Sequence, residues 1–163
     1  MERVGNDLQN TAFDRRTSAD DLDQFGRSAF NRYYYATFLE VREMLRRFNP
    51  DWRGSHSQVP DELEGSITRK ISSIKRSAQR VDDHQGVAIC QSAKGGALSL
   101  AQLMRGAYVV RVKADYEPEI PITLDNTRFS LDTTSINDAH NWLIRARNFI
   151  QMIDRARELS DAY

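Results

Sequence analysis

Apolar residues recur every three or four positions through most of this chain, and that spacing is the period of an α-helix. The first such run follows Thr17 and Ser18, either of which can cap a helix, and it ends at Asn49-Pro50. Because the residue before a proline is disfavoured in helical conformation, the helix is predicted to stop there. The sequence thus predicts a long first helix, preceded by a polar N-terminal arm over residues 1–16.

Two further helices are predicted in the middle of the chain. The second starts near Pro60, since proline is favoured in a first turn, and it places Ile67 and Ile71 on an apolar stripe. Its opposite face carries Lys, Arg, Ser and Gln, which is typical of a surface helix packed against a core. The third helix is predicted over residues 97–113, after a loop over residues 82–96.

The last helix is predicted to begin at Thr134 or Ser135, because Ser135 and Asp138 resemble a capping box. Residues 114–134 hold two prolines and are predicted to form an ordered connector without a helix. Four amphipathic helices joined by short connections pack most simply as an up-and-down antiparallel four-helix bundle. We therefore predict an all-α protein in which residues 17–163 form a single domain.

The charge balance gives the chain no general attraction for nucleic acid or lipid. Of 163 residues, 23 are basic and 23 are acidic, so the formal net charge is zero. The basic set comprises 19 Arg and 4 Lys. An arginine can grip phosphate through two hydrogen bonds, but it equally pairs with carboxylates on helix surfaces. The arginine count therefore leaves both interpretations open.

Metal, cofactor and membrane functions are not indicated. The single cysteine, Cys90, cannot form an intramolecular disulfide and fits a reducing compartment. No signal-peptide core and no run of 18 apolar residues occurs, so we expect a cytoplasmic protein without a membrane span. The histidines His56, His84 and His140 lack metal-ligand spacing, and no glycine-rich phosphate loop is present. We therefore predict no metal and no cofactor.

Aromatic residues are densest at Tyr33, Tyr34 and Tyr35. Consecutive residues on a helix point about 100° apart, so these tyrosines cover most of its circumference. Some must face the core, and at least one must face a groove or a partner, where its ring can stack on a base. Arg32 lies beside them, and because arginine is seldom buried without a partner, we expect a carboxylate next to it, with Asp115 as one candidate.

Four stretches of the chain resemble the HEPN superfamily. Residues 31–38, Asn-Arg-Tyr-Tyr-Tyr-Ala-Thr-Phe, are similar to its Ser-Arg-x-Tyr-Tyr-Ala-x-Phe-His signature. Residues 55–59, Ser-His-Ser-Gln-Val, resemble the segment before its second helix. Residues 111–116, Arg-Val-Lys-Ala-Asp-Tyr, match its Arg-x-x-Ala-Asp-Tyr stretch, and residues 137–159 resemble its closing helix. The stretches occur in the family's order, and the resemblance spans about residues 20–158.

The resemblance implies a small antiparallel helical bundle that usually forms a homodimer and occurs with nucleotidyltransferase-like partner proteins. Many relatives are metal-independent ribonucleases that act as toxins or in phage defence. Their arginine stabilises the charge that builds on phosphorus, and their histidine moves a proton. Here the position of the family's histidine is Leu39, and the residues after Arg111 include Asp115 and Tyr116 but no histidine.

Three functions remain open at this point. The first is a non-catalytic HEPN-like dimer that binds RNA or a partner protein in a toxin–antitoxin or phage-defence setting, since the signature is present and the histidine is not. The second is a divergent metal-independent endoribonuclease, and the third is a structural subunit of a larger assembly. The predicted site residues are Arg32, Arg111, Asp115 and Tyr116 for catalysis, and Arg32, Tyr33, Tyr34, Tyr35 and His56 for binding.

Overall fold

The computed structural model describes residues 1–125 and 128–162, and it is mostly helical, as predicted. The helices are α1 (Glu2–Asp14), α2 (Ala19–Phe48), α3 (Val59–Glu62), α4 (Thr68–Arg80), α5 (His84–Tyr116) and α6 (Ile136–Glu158). Short 3₁₀ turns cover His56–Gln58 and Leu159–Asp161, and the π-helical turn Leu63–Ile67 joins α3 to α4. Three antiparallel strands, β1 (Ile122–Asp125), β2 (Arg128–Leu131) and β3 (Thr134–Ser135), form a sheet in that order.

The chain divides into two compact units. Unit 1 consists of Met1–Leu39 and Gly106–Leu143, and unit 2 consists of Glu40–Arg105 and Ile144–Tyr163. Large side chains that are less than 2% exposed form a core in each unit. They include Phe30, Tyr33, Tyr34, Phe129 and Leu131 in unit 1, and Met44, Leu45, Leu63, Ile67, Ile71, Leu100 and Met104 in unit 2. The up-and-down four-helix arrangement stays a prediction.

The predicted ends of two long helices are confirmed. The hydroxyl of Ser18 accepts a hydrogen bond from the backbone N–H of Asp21 at 3.3 Å, and α2 stops just before Asn49-Pro50. At α6 the hydroxyl of Ser135 accepts a hydrogen bond from the backbone N–H of Asp138 at 3.1 Å. These caps satisfy amide groups that have no partner within the helix.

The predicted N-terminal arm over residues 1–16 contains helix α1, a 13-residue helix that the polar sequence does not indicate. The helix buries Gly5, where an added β-carbon would lie 2.8 Å from ring carbon Cε1 of Tyr33. The Tyr33 hydroxyl lies 2.7 Å from the side-chain oxygen of Asn6 and 2.6 Å from that of Gln9, and its single proton can be donated to either oxygen. Packing on Tyr33 therefore stabilises a helix that has few apolar residues of its own.

Helix α5 begins at His84, so the loop predicted over residues 82–96 is wrong. Its first turn is capped by Asp83, which accepts a hydrogen bond from the backbone N–H of Gly86 at 2.9 Å. An internal glycine costs about 1 kcal/mol of helix stability relative to alanine, yet Gly96 lies inside the helix. An added β-carbon there would lie 3.3 Å from Cβ of Met152, so glycine permits close packing that overrides the low helix propensity.

The three-stranded sheet occupies residues for which the sequence predicts only a connector. In its register Ile122 pairs with Leu131. Phe129 of β2 is 1% exposed, and its ring packs edge-on against Phe30 with 6.1 Å between centroids. An added β-carbon at Gly26 of α2 would lie 3.2 Å from the Phe129 ring, so a small residue on α2 lets the sheet approach. The sheet therefore completes the core of unit 1.

Candidate functional site

The predicted catalytic residues of α5 form a bonded cluster near its C-terminal end. Arg111 and Asp115, one turn apart, make an ion pair with 2.8 Å between Nη2 and Oδ2. The side-chain amide of Asn31 on α2 donates a hydrogen bond to the other oxygen of Asp115. The guanidinium carbon of Arg111 lies 5.3 Å from the ring centroid of Tyr116, and the guanidinium donates hydrogen bonds to Tyr35 and Tyr116. These five residues are named the Arg111 network.

The network holds Arg111 in its charged form. Burial alone would lower the pKa of Arg111, but its hydrogen bonds with Tyr35 and Tyr116 and the charge of Asp115 outweigh that effect and raise the pKa above its ordinary value. The side chains of Arg111 and Asp115 are 17% and 26% exposed, so their attraction is screened less than that of a fully exposed pair. A phosphate that approached Arg111 would meet the negative charge of Asp115.

Two atoms of the network have no hydrogen-bond partner within the described residues. They are Nε of Arg111 and Oδ1 of Asn31, and both are buried. A buried polar atom without a partner costs about 1–3 kcal/mol. Such atoms are few in folded proteins and are commonly explained by a bound water or ion, or by a functional role. The chain's own residues therefore do not satisfy the network completely.

The three consecutive tyrosines occupy different environments. Tyr33 and Tyr34 are 1% and 0% exposed, which places them in the core of unit 1 and not at a binding surface. Burial, with a contribution from Glu2, raises the pKa of Tyr33 to about 12. Burial also raises the pKa of Tyr34, against the lowering effect of the Arg111 charge. Tyr35 is half-buried and is the tyrosine that belongs to the Arg111 network.

Arg32 and His56 are not members of the Arg111 network. Arg32 is exposed on α2, and its predicted partner Asp115 pairs with Arg111 instead, so that prediction is wrong. The reason is geometric, because Arg32 points about 100° away from Asn31, the neighbour that does contact Asp115. His56 lies in unit 2, where it is half-buried in the 3₁₀ turn that Ser55 and Gln58 cap.

Sequence reasoning missed Arg27, which fixes the end of α5. Its side chain is 11% exposed, and its Nε lies 2.6 Å from Asp23 Oδ2. Its Nη groups donate to the backbone carbonyls of Lys113 (3.1 Å), Glu117 (3.3 Å), Pro118 (3.3 Å) and Ile120. The Lys113 carbonyl lies in the last turn of α5 and also accepts the backbone N–H of Glu117. The other three carbonyls lie after the helix, so Arg27 ties the segment that follows α5 to its last turn. The four-residue spacing of Asp23 and Arg27 was a signal for the ion pair, but not for the carbonyl contacts.

No metal centre accompanies the Arg111 network: within residues 1–125 and 128–162, no three His, Cys, Asp or Glu side chains are grouped as metal ligands. None of the helices in that part of the chain is both long enough and apolar enough to cross a membrane. No protein-family model, curated protein or solved structure matches the chain. The candidate site is therefore defined by the geometry of its residues.

Proposed function

We propose that this chain is a HEPN-like helical module that does not itself cleave RNA. It acts as a homodimer that binds RNA or a partner protein in a toxin–antitoxin or phage-defence setting, with a nucleotidyltransferase-like protein as the candidate partner. The proposal includes the antiparallel four-helix bundle of that superfamily. The observation that carries it is the pairing of Arg111 with Asp115.

Metal-independent ribonuclease chemistry needs a positive charge on the phosphate and a group that moves a proton near neutral pH. The Arg111 guanidinium is engaged by a carboxylate and two phenols, and the carboxylate of Asp115 repels phosphate. Within the described residues, the contacts of Arg111 include no histidine. Leu39, at the position of the family's histidine, has no proton to transfer. This arrangement supports a structural role for the network.

An apolar patch on α5 in unit 1 supports the homodimer. Val109 and Tyr116 lie two helical turns apart and so share one face, and they are 48% and 67% exposed. Half-buried Val112 lies between them on the same face. Contiguous exposed apolar side chains are typical of protein–protein contacts. A second copy of the chain is the occupant that the family resemblance favours.

RNA cleavage tests the proposal directly. Purified full-length protein is incubated with total cellular RNA in EDTA, beside the variants Arg111→Ala and Asp115→Asn. The Asp115→Asn change keeps the shape of the side chain but removes the charge that neutralises Arg111, so it is the variant most favourable to a hidden nuclease activity. We expect intact RNA in all three reactions. Cleavage by the wild-type protein that Arg111→Ala abolishes would contradict the proposal and establish a divergent endoribonuclease.

The mass in solution tests the homodimer. We expect light scattering to give about twice the 18.8 kDa of one chain. A monomer at every concentration would contradict the homodimer. Together with intact RNA, that result would favour the remaining interpretation, a structural subunit of a larger assembly.

A further inference from the structure

Helix α4 concentrates positive charge. It carries five basic side chains and no acidic one, namely Arg69, Lys70, Lys75, Arg76 and Arg80. Four of these are exposed, and Lys75 is half-buried. The whole chain has a formal net charge of zero, so its charges are segregated rather than evenly mixed. At 1.5 Å of rise per residue, the α4 cations extend over about 16 Å.

Ion pairs do not neutralise this charge. Other arginines of unit 2 pair closely with carboxylates, as in Arg47–Asp154 at 2.7 Å and Arg147–Glu40 at 2.6 Å. In the part of the chain that the structure describes, no carboxylate lies within 4.0 Å of an α4 cation or of Lys94. Close ion pairs therefore leave the α4 charge unneutralised, while Lys70 donates to the Phe48 carbonyl and Arg69 lines a second cavity together with acidic side chains.

A cavity of about 250 Å³ lies between α4 and the N-terminal half of α5 in unit 2. Its polar lining consists of three cations and three neutral hydrogen-bonding side chains: Lys75, Arg76, Lys94, Ser72, Gln79 and Gln91. Neither Asp nor Glu lines it. A larger cavity of unit 2, beside Trp52 and Arg53, is lined by three acidic residues as well. The α4–α5 cavity is therefore lined by cations without a balancing carboxylate, unlike the larger cavity.

The positive charge of Lys75 acts on Cys90, and both residues line this cavity. Cys90 is 1% exposed there, and burial raises the pKa of its thiol. The charge of Lys75 acts in the opposite direction and lowers that pKa, while the charge of Asp83 raises it. Asp83 does not line the cavity. A ligand in the cavity would therefore meet Lys75 before it met an acidic side chain.

We infer that the α4–α5 cavity and the cationic face of α4 bind the phosphate backbone of RNA. The inference rests on the proposed function and deepens it, because it names the surface that contacts RNA. Lysine, arginine, serine and glutamine are the side chains that contact phosphate and sugar in protein–nucleic acid complexes. No aromatic side chain lines the cavity, so bases are not stacked there and the binding is independent of sequence.

An acidic protein fits this surface less well than RNA. Lysine is depleted from the cores of protein–protein interfaces, whereas Lys75 and Lys94 account for two of the three cations that line the cavity. A polyanion with evenly spaced charges also matches cations spread over about 16 Å of helix. We therefore commit to a nucleic-acid backbone, and an acidic protein is an outcome of the test.

Fluorescence anisotropy of a labelled 20-nucleotide RNA tests the inference with the full-length protein. The test variant replaces all three cavity cations by glutamine: Lys75→Gln, Arg76→Gln and Lys94→Gln. The logarithm of the association constant falls linearly with the logarithm of the salt concentration, and each lost phosphate contact makes this slope shallower by about 0.7 for a single strand. For the triple variant we expect a slope shallower by about 2 than that of the wild-type protein, and an affinity about a hundredfold lower at 0.1 M salt.

The matched control removes three exposed arginines that do not line the cavity: Arg3→Gln, Arg145→Gln and Arg155→Gln. It has the same net charge as the test variant, and we expect less than a threefold change in affinity. Circular dichroism and thermal unfolding check that both variants fold, and Lys94→Gln alone provides a milder second test. Equal losses in the two triple variants, or no binding by the wild-type protein at 50 mM salt, would overturn the inference.

Competition separates RNA from other polyanions. Unlabelled DNA of the same sequence is expected to compete, because it presents the same phosphates, whereas poly-glutamate at equal charge is not. Competition by poly-glutamate as strong as that by RNA would overturn the nucleic-acid assignment in favour of an acidic protein. The two proposals can fail separately. RNA cleavage that depends on Arg111 would refute only the non-catalytic function. RNA binding whose affinity does not change in the cavity variant would refute only the assignment of this surface.

Discussion

Replacing Arg27 by methionine is expected to destabilise the protein by about 2 kcal/mol. Methionine keeps the length and the helix propensity of arginine but removes the charge and every donor. The substitution leaves Asp23 without its partner at 2.6 Å, and it removes hydrogen bonds to one backbone carbonyl in the last turn of α5 and to three in the segment that follows. The Asp23 carboxylate is 39% exposed, so water screens the ion pair and its loss costs about 1 kcal/mol, and the lost hydrogen bonds of the charged donor add about 1 kcal/mol more.

Urea unfolding followed by circular dichroism measures this change, and calorimetry should show a Tm about 4–8 °C lower. The matched control is Arg32→Met, an exposed position on the same helix, for which we expect a change within 0.5 kcal/mol. Arg27→Lys should lie between the two, since lysine keeps the charge but lacks the planar fork that reaches several carbonyls. If the Arg27→Met and Arg32→Met variants unfold within 0.5 kcal/mol of each other, the clamp assigned to Arg27 is refuted.

Three further predictions follow from other parts of the structure. Gly5→Ala should lower the free energy of unfolding by about 1–3 kcal/mol, because the added β-carbon would lie 2.8 Å from the Tyr33 ring. Gly95→Ala, whose β-carbon would have nothing within 4 Å, should raise the free energy of unfolding by about 0.5–1 kcal/mol. Urea unfolding compares the two variants, and changes of the same sign would contradict the packing of α1 against Tyr33. The raised pKa values of Tyr33, about 12, and of Tyr34 mean that the folded state keeps these protons more tightly than the unfolded state does. The stability that these two tyrosines contribute is present below pH 10 and is lost as the pH rises toward 12. A pH titration followed by absorbance at 295 nm should show two tyrosines that ionise after the others. A single titration of all tyrosines near pH 10 would contradict the burial of Tyr33 and Tyr34. Val109→Asp places a charge in the apolar patch of α5 and should convert a homodimer to monomers in light scattering, while an unchanged mass would exclude that face from the interface.

The long helices and several of their ends are local properties of the sequence. The apolar spacing of α2, the hydroxyl of Ser18 before it and Asn49-Pro50 after it act within a few residues of each other, so pattern analysis finds them. The same holds for the start of α6 at Ser135. The Arg111–Asp115 pair was not predicted, since the sequence places Asp115 beyond the predicted end of the third helix, and only the extension of α5 to Tyr116 makes these residues neighbours one turn apart.

Only the tertiary structure decided the contacts between residues that are distant in the chain. Helix α1 depends on the Tyr33 ring, and Gly96 is accommodated within α5 because Met152 packs closely against it. Continuous helix through that segment is also what brings Lys94 to the cavity beside α4. Local propensity cannot encode these outcomes, since each depends on the free energy of burying surfaces that the chain brings together only when it folds.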